Sequence, residues 1–221
     1  MNFIAHVLVA LAVTEAGDEH PGDKHPGPDP GDLAFGAALP DLASLAGLHV
    51  AGLTLPAAVQ DGVALHHRTD AAFHALPDFT AGVRRLRADL SESGLATGPC
   101  RAVAHAGWEL LLDGCLLGRA GVEQAFAEVL DRAPDVAAVV SPADPERWRQ
   151  LLVRLQAERW WLGYREPENV ARAMHRRLRN RPRLAFDAAR VELVAEALER
   201  TTASVEVVAD TVLGDVVDAL T

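Results

Sequence analysis

A chain of 221 residues that is 49% hydrophobic can bury a sizeable core without disulfide or metal staples, which excludes a disordered protein. A formal net charge of −10 argues against non-specific nucleic-acid binding, because a phosphate backbone rewards the opposite sign. Alanine, leucine, arginine and glutamate abound while aromatics are only 5%, so composition leans towards an all-α fold of strong helix formers.

Residues 3–13 read FIAHVLVALAV. No basic residue precedes this run, His6 interrupts it, and it is too short to span a bilayer. A buried first helix ending near Thr14 is expected, with neither a signal peptide nor a membrane span. The sequence AGDEHPGDKHPGPDPGD then forbids a helix, since proline removes donors and glycine adds backbone entropy. Residues 15–31 are expected to form a mobile surface loop in which His20 and His25 are solvated.

From Asp32, apolar residues at Leu33, Phe35, Leu39, Leu42 and Leu45 follow a helical stripe, and Pro40 is expected to kink or break it before Asp41. A glycine-containing loop over 46–55 leads to Pro56, which opens a helix from Ala57 to Ala75 closed by Pro77. A further helix covers Phe79 to Leu90, with Ser91, Ser93 and Gly94 as terminators. Residues 100–118 form the most apolar internal segment, too polar at 105, 109 and 113 for a membrane span and so read as a buried core helix. Helices are then expected over 121–139, 144–162, 167–180, 184–200 and 203–219, with Ser141 or Asp144 capping the second of these. Val205, Val208, Val212 and Val216 recur every three or four positions, which favours helix for the last segment. With no repeat and no linker, the chain reads as a single helical domain, 1–221. Cys100 and Cys115 leave no second pair for a zinc ribbon; as small buried hydrophobes they suit a reduced, cytoplasmic protein.

Metal-ligand side chains recur at helical spacing. His66, Asp70 and His74 are four apart, as are His105, Glu109 and Asp113 inside the most apolar segment. Residues at i, i+4 and i+8 stack along one face about 5–6 Å apart, so an adjacent pair suits a single ion and all three do not. His6 lies in the apolar first helix, and Asp41 adds a further carboxylate. Carboxylates on a buried face cost several kcal/mol unless paired or metal-bound. Imidazole with carboxylate suits Mn, Fe or Zn, and several oxygen ligands disfavour copper. Each residue also has a plainer reading: His6 as a satisfied core histidine, His66 or His67 bonded to Asp70 along one face, and the second triplet paired with arginines.

Three blocks in order, MNFIAH, FGAALPDL and GVALHHRTDAAFHALP, resemble the acyl carrier protein phosphodiesterase family over roughly residues 1–120. His6 matches that family's opening histidine, Asp41 the aspartate of its second block, and His66 and Asp70 the histidine and aspartate of its third. His67 stands where the family usually has arginine, with Arg68 next door, and His74 stands where an aspartate is usual. Asp113 fits the aspartate of a later Asp-His pair whose histidine is replaced here by Gly114. Glu109 stands where a further aspartate is common, with His105 one turn earlier. The resemblance implies an HD-domain-like helical bundle, a divalent metal (manganese, or iron), and phosphodiester hydrolysis releasing 4′-phosphopantetheine from holo acyl carrier protein. In that picture His66 and Asp70, with some of His6, Asp41, His74, His105 and Asp113, hold the metal. Arg68 offsets developing charge, and Glu109 or His67 moves a proton. The basic run RAMHRRLRNRPR, Arg172 to Arg183, is then a dock for a phosphate or an acidic carrier, or otherwise a solvated helix end. The departures from the family pattern leave open an HD-like di-iron oxygenase or other metal-dependent enzyme, and a non-catalytic relative with a binding role.

Overall fold

Helices supply all the regular structure in the described residues, 1–18, 29–50, 55–131 and 144–221 of a computed structural model, and no strand occurs among them. In chain order they are α1 (Phe3–Asp18), α2 (Pro30–Leu45), α3 (Ala57–Ala75), α4 (Pro77–Glu92), α5 (Thr97–Leu117), α6 (Val122–Asp131), α7 (Pro145–Glu158), α8 (Pro167–Leu178) and α9 (Val191–Asp218). Two 3₁₀ segments, Trp160–Arg165 and Ala188–Arg190, precede α8 and α9. The chain is therefore all-α, and among the described residues no helix is long and apolar enough to cross a membrane.

Proline and capping residues fix most of the boundaries. Asp29 accepts hydrogen bonds from the backbone N–H groups of Gly31 and Asp32, with Pro30 opening α2. Asp144 does the same for Arg147 at the start of α7, while Ser141, the other expected cap, lies outside the described residues. Helix α3 has the expected bounds. Helix α1 runs a turn beyond Thr14, through the helix formers Glu15 and Ala16. His20 and His25 lie outside the described residues, as does the expected helix beyond Asp131.

Two expected breaks do not occur. Pro40 does not break α2, because fully buried Leu39 and Leu42 on either side anchor the helix while Pro40 itself is half-buried. The expected pair of C-terminal helices is instead the single α9. The Thr201 and Thr202 hydroxyls donate back to the Ala197 and Leu198 carbonyls, 2.9 and 3.0 Å away, and so satisfy themselves within the helix rather than ending it. Buried Val194, Ala197 and Leu198 continue into buried Val205, Ala209, Val212 and Val216 along its length.

The described residues fall into two compact units. The first comprises Met1–Phe73, Ala120–Trp161 and Leu213–Thr221, and the second His74–Arg119 and Leu162–Val212. In the first, α1 packs along α2, α6 rests on both, and α7 rests on α6. Phe3 stacks on Phe126 at 5.4 Å, and Phe126 meets Trp161 edge-on at 4.9 Å. The first seven residues are all buried, so α1 opens as a core helix.

Helices α2 and α3 meet backbone to backbone at two glycines. A Cβ on Gly62 would press into the Leu33 carbonyl oxygen and stand 2.7 Å from Gly36 Cα; one on Gly36 would stand 2.9 Å from Val59 Cα. In the second unit α5 packs against α4 and α8. Gly114 is in a similar position, since a Cβ there would drive into the Tyr164 carbonyl. Cys100 is buried, as expected, whereas Cys115 is only half-buried. Burial pushes both thiols up, Cys115 to about 11 with help from Glu206.

Candidate metal centres

The close approach of α2 and α3 sets the first group of ligands. It lets His66, almost fully buried, reach back with Nδ1 to the Ala37 carbonyl at 2.8 Å. A carbonyl oxygen only accepts, so Nδ1 carries the proton and the neutral ring has its lone pair on Nε2. That arrangement is the usual support for a metal-ligating histidine. Burial holds His66 below the usual imidazole range, so the ring is neutral at pH 7.

Asp70, one turn on along α3, faces this lone pair with Oδ2 3.6 Å from His66 Nε2. Its other oxygen, Oδ1, lies 3.2 Å from His6 Nε2 on α1 and accepts from the Met1 ammonium at 2.8 Å. His6 is wholly buried, its ring stacked on that of His66 with centroids 3.9 Å apart. Neither His6 nitrogen makes a well-aligned hydrogen bond. Burial pushes this imidazole down to about 3, so it too is neutral. Burial alone would raise the Asp70 carboxyl, but His6 and the Met1 ammonium outweigh it and hold the group well below the usual carboxylate range.

Two buried, neutral imidazoles therefore share one half-buried, ionised carboxylate, with the donor atoms of all three within 4.8 Å of one another. Metal–ligand bonds of about 2.0–2.2 Å separate neighbouring donor atoms by about 3.0–3.5 Å, close to the spacing seen here. The His6 nitrogens, without a well-aligned hydrogen bond, and the His66 lone pair turned to Asp70 fit a divalent cation. Asp41 stands at the margin, half-buried, with Oδ2 4.0 Å from His6 Nε2. Thr69, also buried, has no hydrogen bond to its hydroxyl.

The second unit holds a separate group. His74, in the last turn of α3, and His105 on α5 both bring Nε2 to Glu109 Oε1, at 3.1 and 3.2 Å. Burial pushes the Glu109 carboxyl up, but hydrogen bonds from His105 and His74 outweigh it and leave the group at about 2. Phe79 packs against both imidazoles, with centroids 5.1 and 5.3 Å away, and Trp108 backs Phe79 edge-on at 5.4 Å.

The expected ligands thus divide. His6, His66 and Asp70 come together with Asp41 at their edge, while His74 and His105 join Glu109 in the other unit. Glu109 is correspondingly engaged by two histidines of its own unit. Asp113 is completely buried on α5 and belongs to neither group. Arg68 is exposed and donates from Nη2 to the Leu220 carbonyl at 3.0 Å, which turns its guanidinium to the C-terminal turn. His67 is exposed, with its ring edge-on to His66 at 5.3 Å. Gly114, where the resemblance would put a histidine, has no room for any side chain.

The Ala37 carbonyl, the Gly36 and Gly62 contact and the Phe79 wall are features that ligand spacing did not reveal. Both glycines nonetheless lie inside the FGAALPDL and GVALHHRTDAAFHALP blocks. No family model, no curated protein and no solved structure matches this chain.

Proposed function

We propose that this protein is a divalent-metal-dependent phosphodiester hydrolase, with His6, His66 and Asp70 as its metal ligands. The observation that carries the reading is the buried pair of neutral imidazoles on one ionised carboxylate, with neither His6 nitrogen in a well-aligned hydrogen bond and the His66 tautomer set by Ala37. The three N-terminal blocks that resemble the acyl carrier protein phosphodiesterases point to a phosphodiester, and to holo acyl carrier protein as the first substrate to try.

A bound manganese or iron ion would supply Lewis-acid stabilisation of charge developing on the phosphoryl oxygens. The protein's own part is to orient that charge and move a proton. Asp70 anchors the ligand set, and the Ala37 carbonyl keeps His66 in the required tautomer. His67, exposed beside His66, is the group assigned to carry the proton. Water adds to phosphorus, the P–O ester bond breaks, and the proton lost by water reaches the leaving oxygen by way of His67. Arg68 and Glu109 receive no part, because their contacts lie with Leu220 and with His74 and His105.

The test is the metal content of freshly purified protein by elemental mass spectrometry, with His66→Ala and Asp70→Ala beside it. Stoichiometric manganese or iron that both variants lose, with metal-dependent hydrolysis of a phosphodiester, is the expected result. A wild-type chain that holds no metal and takes up neither Mn²⁺ nor Fe²⁺ would end the proposal. Bound iron with dioxygen uptake and no hydrolysis would replace it with the oxygenase reading.

A further inference from the structure

We infer that His74, His105 and Glu109 form a second site for a divalent transition-metal ion of the zinc class, independent of the hydrolase reading. The donor set is two imidazole nitrogens and one carboxylate oxygen, a combination that zinc takes with a coordination position left open. Both Nε2 atoms converge on the same Glu109 oxygen, at 3.1 and 3.2 Å. A tetrahedral zinc with bonds of about 2.0–2.1 Å needs donor separations of about 3.3 Å, so the side chains already stand close to the required spacing.

Three further features favour an ion. The Phe79 ring lies against both imidazoles and Trp108 lies against Phe79, which limits how the rings turn. Helix position helps as well: His105 and Glu109 are one turn apart on α5, and His74 closes α3 at its C-terminal end, where the helix dipole favours positive charge. Exposure differs among the ligands. Glu109 is 13% exposed, whereas the His74 and His105 side chains are 37% and 48% exposed, so the carboxylate is held inside and the imidazoles face solvent. An ion there would keep positions open to water or to a small anionic ligand. In the metal-free chain, protons on Nε2 fill the ion's place with hydrogen bonds of similar length.

The experiment titrates Co²⁺, and then competing Zn²⁺, into the full chain after chelator treatment, following the visible d–d bands. It compares the wild type, Asp70→Asn, His105→Gln and Glu109→Gln, with far-ultraviolet circular dichroism on each. The expected result is a cobalt spectrum with a nitrogen-containing, low-coordinate signature that survives Asp70→Asn. His105→Gln and Glu109→Gln should each abolish it or weaken binding at least about tenfold, since even supporting residues around a metal cost that much. The exposure of His105 makes its variant the one that keeps the helical signal. No cobalt binding by Asp70→Asn with helicity intact, or binding unmoved by both α5 variants, overturns the site. If Asp70→Asn loses helicity, wild type against His105→Gln decides: a fall of one equivalent supports the site, and an equal uptake refutes it. Because the arms at positions 70 and 105 are scored separately, failure of the hydrolase centre and failure of this one give different results.

Discussion

His6 concentrates the chemistry of the first unit in one side chain. A wholly buried imidazole with no well-aligned hydrogen bond is costly unless something compensates for it, and in the metal-free chain its neutral state is the only tolerable one. The sign of the resulting pH dependence follows directly. In the unfolded chain the ring titrates at 6.5, and in the fold only at about 3, so folding is opposed by protonation. Its contribution is fully present above pH 6.5 and is lost as pH falls from there towards 3. Over the step from pH 7 to pH 5 that loss is on the order of 2 kcal/mol. Urea unfolding midpoints of metal-free wild type and His6→Phe at the two pH values test this. The wild type should lose stability on acidification and the phenylalanine variant, which keeps a ring on His66, should lose clearly less. Equal losses would mean that His6 is not held neutral by burial.

At the scale of the helices, the site depends on how near α2 and α3 come. The Gly36 and Gly62 contact brings the Ala37 carbonyl within reach of His66, so the proposed metal site rests on two residues with no ligand atoms of their own. Gly62→Ala would force a methyl group into the Leu33 carbonyl region, an overpacking that costs about 1–3 kcal/mol. The variant should show a lower unfolding midpoint by that amount and weaker Mn²⁺ binding, read by isothermal titration. A stable variant with unchanged binding would show that the helices need not touch. This contact also marks the limit of what the sequence discloses. Helix α3 was legible to the residue, because Pro56 and Pro77 bracket it and proline acts locally. The i, i+4 pairing of His66 with Asp70 and of His105 with Glu109 was legible for the same reason. The allocation of His74 to His105 and Glu109 was not, because it depends on which helices pack together and a single-helix pattern carries no record of its partner. Pro40 and the boundary expected between residues 200 and 203 misled in the other direction: helix runs through both, with buried stripes on either side.

For the molecule as a whole, charge and the proposed metal binding each predict a measurable response. The chain carries a net −10, yet Arg176, Arg179, Arg181 and Arg183 are exposed at and just beyond the end of α8. If this basic stretch is a dock, an anionic partner is attracted there by a chain whose net charge otherwise repels it. Reversing Arg176, Arg177 and Arg179 to glutamate should raise KM for a carrier-protein substrate severalfold at low salt and leave kcat nearly unchanged. An unchanged KM would assign the run to solvent.

Metal binding reaches stability through mass action. An ion that binds only the folded chain adds about 2.7 kcal/mol when present at about a hundred times its dissociation constant. In a protein of this size each kcal/mol moves Tm by roughly 2–4 °C, so saturating Mn²⁺ should raise the transition by roughly 5–11 °C. Removing the ion with a chelator should reverse the gain, and His66→Ala should show none of it, since a ligand that is gone has no binding energy to lend to the fold. His105→Gln, altered only in the second unit, should keep the manganese shift. A shift that survives His66→Ala and disappears in His105→Gln would move the manganese to the second group, and with it the chemistry assigned to the first.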